Sequence, residues 1–117
     1  MTHKDDCIFC RIAKNEIPSE FLFENDNFFA ILDKNQDIPG HALIISKQHY
    51  TNLIDMPTTL GTEMASAIKE VSEKILKNGA EGFNVFINNF PAGGQVVMHV
   101  HIHVLPRKKD DDLKLIG

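Results

Sequence analysis

The sequence predicts an α+β fold, in which five antiparallel strands form one sheet with a short N-terminal helix and a long helix between strands 3 and 4. Three observations lead to this prediction: an ordinary globular composition, one long segment with helical spacing of apolar residues, and several short apolar runs between turn residues. The 117 residues are 43% apolar and 24% charged. We therefore expect one domain over residues 1–117, with tails at about 1–5 and 108–117.

Two segments have the apolar spacing of amphipathic helices. Residues 8–15 suit a short helix, which must end before Pro18. The long helix is expected over residues 59–78, because Gly79 follows it as a typical left-handed stop. Its apolar residues recur at spacings of three and four and so share one face: Leu60, Met64, Ala67, Ile68, Val71 and Ile75.

Five short apolar runs, bounded by Asn, Asp, Gly or Pro, predict the strands of the sheet. They cover residues 21–23, 27–33, 41–45, 83–88 and 98–105. We expect strands that follow one another in the chain to pair in hairpin order, as a meander. The charge run over residues 108–114 then leaves the domain as a solvated tail.

Composition and charge argue against two broad classes of function. Twelve Lys and Arg against sixteen Asp and Glu give a formal net charge of -4. A nucleic-acid duplex is therefore not expected as the main partner, because phosphate binding needs clustered cations. The longest apolar runs, residues 28–32 and 42–45, fall far short of the roughly 20 residues of a membrane span. The charged N-terminus does not resemble a signal peptide, so we expect a cytoplasmic protein.

Six histidines are unusual in a small acidic chain, and three of them alternate, at His99, His101 and His103. In a strand these three side chains share one face, where neighbours lie roughly 6.6–7 Å apart. The apolar residues that alternate with them face the core: Val100, Ile102 and Val104. A solvent-facing strand would more usually carry Thr, Lys or Glu, so the three imidazoles indicate phosphate chemistry, a metal site, or both.

The loop before this strand suits a bound anion. Gly93 and Gly94 allow backbone N–H groups to approach a ligand closely. Asn88 and Gln95 carry neutral amides that can hydrogen-bond phosphate oxygens. Since neutral imidazole is a competent nucleophile toward phosphorus near pH 7, the loop and the histidines together predict chemistry at a phosphate.

Cys7 and Cys10 have the CxxC spacing of a metal knuckle, of a redox pair, or of two small buried hydrophobes. A redox pair would suit a thioredoxin-like βαβ context, which the predicted sheet does not offer. Two cysteines in a chain without a readable leader indicate a reducing compartment, where metal binding is favoured over a disulfide. A structural zinc site needs two further nitrogen or sulfur ligands.

The run from His99 to Leu105 resembles the His-φ-His-φ-His-φ-φ signature of the histidine triad (HIT) superfamily of nucleotide hydrolases and transferases. The similarity covers nearly the whole chain, because residues 7–18, 33–41 and 83–95 also have counterparts in that family. This resemblance implies an enzyme that cleaves purine nucleotide conjugates, of the AMP type, at the α-phosphate. The resemblance leaves both phosphoramidates and dinucleoside polyphosphates open as substrates.

The resemblance also implies a role for each polar residue. His101 would attack phosphorus and form a nucleotidyl-histidine intermediate, while the carbonyl of His99 fixes the tautomer of the nucleophile. His103 would contact the phosphate or the leaving group, with His41 nearby. The non-bridging oxygens would be held by two amides, those of Asn88 and Gln95.

For the nucleoside, the resemblance implies that Asp33 accepts the ribose hydroxyls and that Gly94 contacts the nucleotide. The purine would lie between apolar side chains, which taken singly are also ordinary core residues: Ile8, Phe9, Ile17 and Ile31. Val96 departs from the family, which often has Ser or Thr at this position beside the leaving group. The ending Pro106-Arg107 resembles the dinucleoside-polyphosphate hydrolase branch.

His49 and His99 match metal-ligand histidines of zinc-bearing HIT proteins. Together with Cys7 and Cys10 they would form a closed, structural zinc site with four ligands. The same resemblance implies a homodimer whose two sheets join edge to edge into ten strands. His3 is expected to be a tail residue. The alternative to an enzyme is a module that binds purine nucleotide or metal, with incidental turnover.

Overall fold

The computed structural model describes residues 6–115, and His3 lies outside this range. Its sheet has five strands: β1 (Phe23–Glu24), β2 (Phe28–Leu32), β3 (Ala42–Ser46), β4 (Gly82–Phe86) and β5 (His101–Arg107). Two α-helices accompany them, α1 (Ile8–Ala13) and α2 (Gly61–Lys77). Two short 3-10 turns, Thr58–Leu60 and Pro91–Gly93, precede α2 and β5 respectively. The predicted α+β architecture, with one short and one long helix, is confirmed.

The strand order is β1-β2-β3-β5-β4, and all neighbouring strands are antiparallel. The meander prediction was therefore wrong in one respect, since β5 lies between β3 and β4 instead of at the edge. The physical reason is burial on two faces. His101, Ile102, Val104 and Leu105 of β5 are all buried, whereas every second residue of β4 is exposed. β5, which is buried on both faces, therefore takes an interior position, and β4, with its exposed face, lies at the edge.

β5 begins three residues later than the pattern predicted. The N–H of Val100 donates to the carbonyl of Tyr50 at 2.7 Å, and the N–H of His99 donates to the carbonyl of Val97 at 2.9 Å. These bonds lie outside the ladder that joins β5 to β3. His99 therefore precedes the strand, while His101 and His103 belong to it.

The sheet separates two apolar cores. On one face α2 packs over the sheet, and the buried sheet and loop residues there include Phe28, Ala30, Ala42, Ile44, Val100, Ile102 and Val104. On the other face α1 covers a smaller cluster, which includes Phe9, Cys10, Ile12, Phe29, Ile31, Leu43 and Ile45. Full burial of one such large side chain contributes about 1.5–3 kcal/mol. The face under α1 also carries the strand histidines, so we call it the histidine face.

α2 is joined at its start to the residue before β2, and it ends in a left-handed turn. At its start, the Glu63 carboxylate accepts hydrogen bonds from the Asn27 backbone N–H at 2.7 Å and from its side-chain amide at 2.6 Å. At its end, Gly79 has φ +108°, which completes the predicted left-handed stop. No helix in the described part of the chain is long and apolar enough to cross a membrane.

The segment after β5 is mostly exposed, as a solvated tail would be, but it is tied to the domain. The Arg107 guanidinium donates to both carboxylate oxygens of Asp111, at 2.7 and 2.9 Å, and to the Asn84 side chain at 2.7 Å. It also donates to the carbonyl of Leu113. The pKa of Asp111 is lowered, first by the hydrogen bond from Arg107. Arg107 thus folds the residues that follow it back toward β4.

Candidate active site

The central group of the histidine face is His101. Its Nδ1 lies 2.7 Å from the carbonyl oxygen of His99. Because a carbonyl can only accept, Nδ1 carries the proton and Nε2 keeps its lone pair. His101 is 7% exposed, and this burial lowers its pKa more strongly than the bond to His99 and the charge of Asp33 raise it. The ring is therefore neutral at pH 7, as a nucleophile must be.

Beside His101, three polar residues meet on the histidine face: one from within β5, one just before β3 and one just after β2. His103 of β5 brings Nδ1 within 3.0 Å of Nε2 of His41, which precedes β3. The other ring nitrogen of His41 lies 3.4 Å from a carboxylate oxygen of Asp33, which follows β2. Burial, and then the neighbouring His101 and His41, lower the pKa of His103 to about 4. His103 is thus also neutral at pH 7.

Two aromatic rings hold the planes of these imidazoles. Phe86 of β4 stacks on His103 with a centroid distance of 4.6 Å and an interplanar angle of 7°. Phe9 of α1 meets His101 edge to face at 5.1 Å. Phe86 was not singled out from the sequence, since only the register that pairs it with His103 brings the two rings together.

The loop before β5 is organised by Gln95. Its side-chain nitrogen donates to the carbonyls of Thr51 at 2.5 Å and Val97 at 3.0 Å, and its side-chain oxygen accepts from the Phe90 N–H at 2.8 Å. The residue is only 4% exposed. All polar atoms of the amide are therefore engaged within the protein, and contact with a phosphate oxygen stays a prediction that requires the loop to rearrange.

The remaining loop residues are better placed to meet a ligand. Gly94 has φ +90°, and a Cβ at this position would lie 3.6 Å from the Asn88 side chain. The Asn88 amide nitrogen is 3.5 Å from the Gly94 carbonyl, a long contact that leaves the amide little constrained. Phe90 adopts a positive φ of 67°, an uncommon conformation for a bulky residue. Val96 is 87% exposed.

The four apolar residues that were predicted to contact the purine differ in how far they are buried. Three of the four belong to the core under α1: Phe9 and Ile31, which are buried, and Ile17, which packs against them. Ile8 is the exception, because it is 44% exposed at the start of α1. Asp33 lies next to His41, with a carboxylate oxygen 3.4 Å from the His41 ring, and its contact with the ribose hydroxyls stays a prediction.

A second cluster lies at the start of α1 and joins the two cysteines to two histidines. Cys7 Sγ is 3.2 Å from Nδ1 of His99, and Cys10 Sγ is 3.2 Å from Nδ1 of His49 and 3.4 Å from Nδ1 of His99. All four side chains are buried, and their ligand atoms lie within 4.8 Å of one another. The structure thus brings together the four residues that the family resemblance selected.

The hydrogen bonds of His99 show that this cluster fits a metal ion. Nε2 of His99 lies 2.7 Å from the carbonyl oxygen of Ser46, so this nitrogen carries the proton. Nδ1 therefore presents its lone pair to the two sulfurs, as a metal-bound imidazole does when a carbonyl orients it. Two thiols and two imidazole nitrogens form a closed set of four ligands, which can hold a tetrahedral ion. Ser46 could not be identified from the sequence, because a serine at the end of an apolar strand gives no sign of a contact with His99.

Comparison with known proteins agrees with this geometry. The family model described as the HIT domain matches residues 14–110. An adenylylsulfatase of Arabidopsis thaliana is 42% identical over 113 residues, which are 96% of this chain but 57% of the plant protein. An adenosine 5'-monophosphoramidase of Saccharomyces cerevisiae is 38% identical over 111 residues, which are 95% of this chain and 68% of the yeast protein. Both relatives have the names of hydrolases.

A solved structure extends the similarity to the fold and to metal binding. The crystal structure of a zinc-bound histidine triad family protein from Mycobacterium smegmatis has a TM-score of 0.87 and 34% sequence identity. The match covers 93% of this chain and 80% of that one. The fold, the histidine run and the family model lead to the same conclusion: the chain belongs to the HIT domain family.

Proposed function

We propose that this protein is a nucleotide hydrolase in which His101 attacks the α-phosphorus of an adenosine 5'-phosphate conjugate. The observation that supports the proposal best is the 2.7 Å hydrogen bond from His101 Nδ1 to the carbonyl of His99, which leaves Nε2 as the nucleophile. The plant and yeast relatives, an adenylylsulfatase and an adenosine 5'-monophosphoramidase, support a substrate of this class.

The reaction proceeds in two steps. In the first, Nε2 of His101 forms a bond to the α-phosphorus while the bond to the leaving group breaks and the leaving group takes the electron pair. In the second, water attacks the same phosphorus, the phosphorus–nitrogen bond breaks, and a nucleoside monophosphate leaves. A proton from that water is released, and His101 returns to its neutral form with Nδ1 still bound to the His99 carbonyl.

The neighbouring residues bind the nucleotide around this centre. Asp33 accepts the ribose hydroxyls, His103 and His41 contact the phosphate, and Asn88 donates to a non-bridging oxygen. The loop contributes the backbone of Gly94. The remaining assigned residues are Gln95 at the phosphate and, around the purine, Ile8, Phe9, Ile17 and Ile31. Ile8 is the most exposed of these apolar side chains, which supports its contact with a ligand.

The residues around the leaving group indicate which leaving groups the site favours. An amine needs a proton as it departs, whereas sulfate or a polyphosphate leaves as an anion near pH 7. The side chain at residue 96, the position that the family resemblance places beside the leaving group, is a valine without a hydroxyl. His103, with its pKa lowered to about 4, does not carry the extra proton of an imidazolium at pH 7. We therefore propose that anionic leaving groups are preferred over amines.

The two-cysteine, two-histidine cluster is proposed to hold zinc in a structural role. Cys7, Cys10, His49 and His99 would coordinate the ion, which when bound supplies a covalent tie between α1 and the residues before β5. His99 then serves two purposes, because its ring belongs to the metal cluster while its carbonyl orients His101. The zinc-bound mycobacterial neighbour supports the identity of the ion.

A homodimer is proposed from the exposed edge of the sheet. β4 is an edge strand, and its side chains Phe83 and Val85 are each 39% exposed. An open edge with apolar side chains favours pairing with another strand, and a second copy of β4 would extend the sheet to ten strands. Leu76 on α2 is a further exposed apolar residue.

The first prediction concerns the nucleophile. We expect His101→Ala to lower kcat for hydrolysis of an adenylate conjugate by about 10⁴-fold or more, because no nucleophile remains, while nucleotide affinity changes little. Burst kinetics and mass spectrometry of acid-quenched wild-type protein should detect a nucleotidyl adduct on His101. Near-normal hydrolysis by the variant would contradict the mechanism. Stoichiometric binding without burst or turnover by the wild type would instead show a binding module.

The second prediction concerns the leaving group. With diadenosine polyphosphate, adenylyl sulfate and adenosine phosphoramidate assayed side by side, we expect the phosphoramidate to have the lowest kcat/KM. Val96→Ser should raise kcat/KM for the phosphoramidate by about tenfold and leave that for the anionic leaving groups nearly unchanged. Val96→Ala is the matched control, since it removes bulk without adding a hydroxyl. An equal gain in Val96→Ala and Val96→Ser would contradict the explanation.

The third prediction concerns the metal. Elemental analysis of the purified protein should find about one zinc per chain, because four ligands form one closed site. His49→Asn should lose this zinc and lower the free energy of unfolding by about 3 kcal/mol, the stabilisation given by a ligand at roughly 100 times its Kd. His41→Asn, a histidine outside the cluster, should keep the structural zinc. Wild-type protein with no zinc and freely alkylated Cys7 and Cys10 would rule the site out.

The fourth prediction concerns the dimer. Sedimentation equilibrium should give the mass of two chains for the wild type and of one chain for Val85→Lys, because a charge at the apolar edge opposes pairing. Lys69→Ala on the exposed side of α2 is the control and should leave the mass unchanged. A monomeric wild type at micromolar concentration would contradict the proposed edge pairing.

A further inference from the structure

Asp33, His41 and His103 form a second cluster of metal-binding side chains, separate from the cysteine cluster. Each of the three offers a ligand atom that lies within 4.8 Å of those of the other two. They come from the end of β2, the start of β3 and the middle of β5, so the sheet fixes their spacing. The side chains of His41 and Asp33 are only 15% and 25% exposed. The cluster is therefore a partly enclosed recess beside His101.

The distances within this cluster suit a transition metal. Two imidazole nitrogens that bind one ion at about 2.0–2.1 Å lie about 2.9–3.4 Å apart at angles between 90° and 110°. Nε2 of His41 and Nδ1 of His103 are 3.0 Å apart. The Asp33 carboxylate oxygen lies 3.4 Å from Nδ1 of His41, the ring nitrogen that does not face His103. A rotation of the Asp33 side chain is needed to turn this oxygen toward the two facing nitrogens as a third ligand.

The chemistry of these ligands differs from that of the cysteine cluster. Two imidazoles and one carboxylate, without sulfur, suit nickel, cobalt, zinc, copper or ferrous ions. Three protein ligands also leave coordination positions open, in contrast to a closed structural site with four. The ring of His101 is adjacent, with its centroid 5.0 Å from that of His103. An ion held here would therefore lie beside the ring that we propose as the nucleophile.

We propose that Asp33, His41 and His103 form a second, exchangeable transition-metal site, and that an ion bound there inhibits hydrolysis. The metal site itself stands on the three side chains alone, whereas the inhibition rests on the proposed function. The same three residues are assigned to the ribose and the phosphate. An ion that occupies their oxygen and nitrogen atoms excludes the nucleotide, so metal and nucleotide bind in competition.

The test is calorimetric titration of the zinc-loaded, nucleotide-free protein with Ni²⁺, a probe that accepts nitrogen and oxygen ligands. We expect one equivalent of Ni²⁺ to bind while the zinc content, measured before and after, stays constant. Asp33→Asn and His103→Asn should each raise the Kd for Ni²⁺ at least tenfold. Asp37→Asn removes an exposed carboxylate from the same connection between β2 and β3 and serves as the matched control with unchanged affinity.

A saturating concentration of AMP should weaken Ni²⁺ binding, and Ni²⁺ should raise KM for the nucleotide substrate without lowering kcat. Failure to bind Ni²⁺, or binding that neither cluster variant weakens, would overturn the metal site. His101→Ala separates this proposal from the proposed function, since it should keep Ni²⁺ binding and lose hydrolysis. Ni²⁺ binding in a wild type without hydrolase activity would reject the proposed function alone, and His101-dependent hydrolysis without Ni²⁺ binding would reject the metal site alone.

Discussion

The hydrogen bond from His101 Nδ1 to the carbonyl of His99 is the interaction on which the rest of the site depends. It selects one tautomer of a buried, neutral imidazole and directs the other nitrogen outward. This bond depends on the position of the His99 carbonyl, which the contacts of the His99 ring hold in place. The His99 ring donates to the Ser46 carbonyl through Nε2 and faces two sulfurs through Nδ1. His101 is thus protonated at Nδ1 and His99 at Nε2, and a carbonyl selects each tautomer.

This arrangement connects the cysteine cluster to His101 over a short path. Cys7 caps α1 by accepting from the N–H of Cys10, which places both sulfurs at one end of the helix. Phe9 lies between them in the chain and contacts the rings of His99 and His101. Because α1 and its cap provide both the sulfurs and this aromatic contact, the position of α1 affects the cysteine cluster and the histidine face together.

The electrostatics of the site are compatible with the phosphate chemistry proposed for this acidic protein. The net charge is -4, and the histidine face presents two neutral imidazoles. Burial lowers the pKa values of His101 and His103, so both remain uncharged at pH 7. The role of nucleophile proposed for His101 requires this neutrality. At His103 the same burial keeps the ring neutral, which supports the proposed preference for leaving groups that need no proton.

The sequence by itself determined the two helices, the approximate strands, the pairing of His101 and His103 on one face, and, through the family resemblance, all four residues of the cysteine cluster. The helices, the strands and the shared face depend on periodicity and short motifs, which are local, whereas the cysteine cluster rests on the resemblance. Only the tertiary structure decided that β5 lies between β3 and β4, that Phe86 stacks on His103, and that Ser46 orients His99. It also showed the Gln95 amide engaged within its own loop and Arg107 holding the C-terminal segment. Such features depend on strand register and on contacts between residues far apart in the chain, and neither leaves a periodic pattern in the sequence.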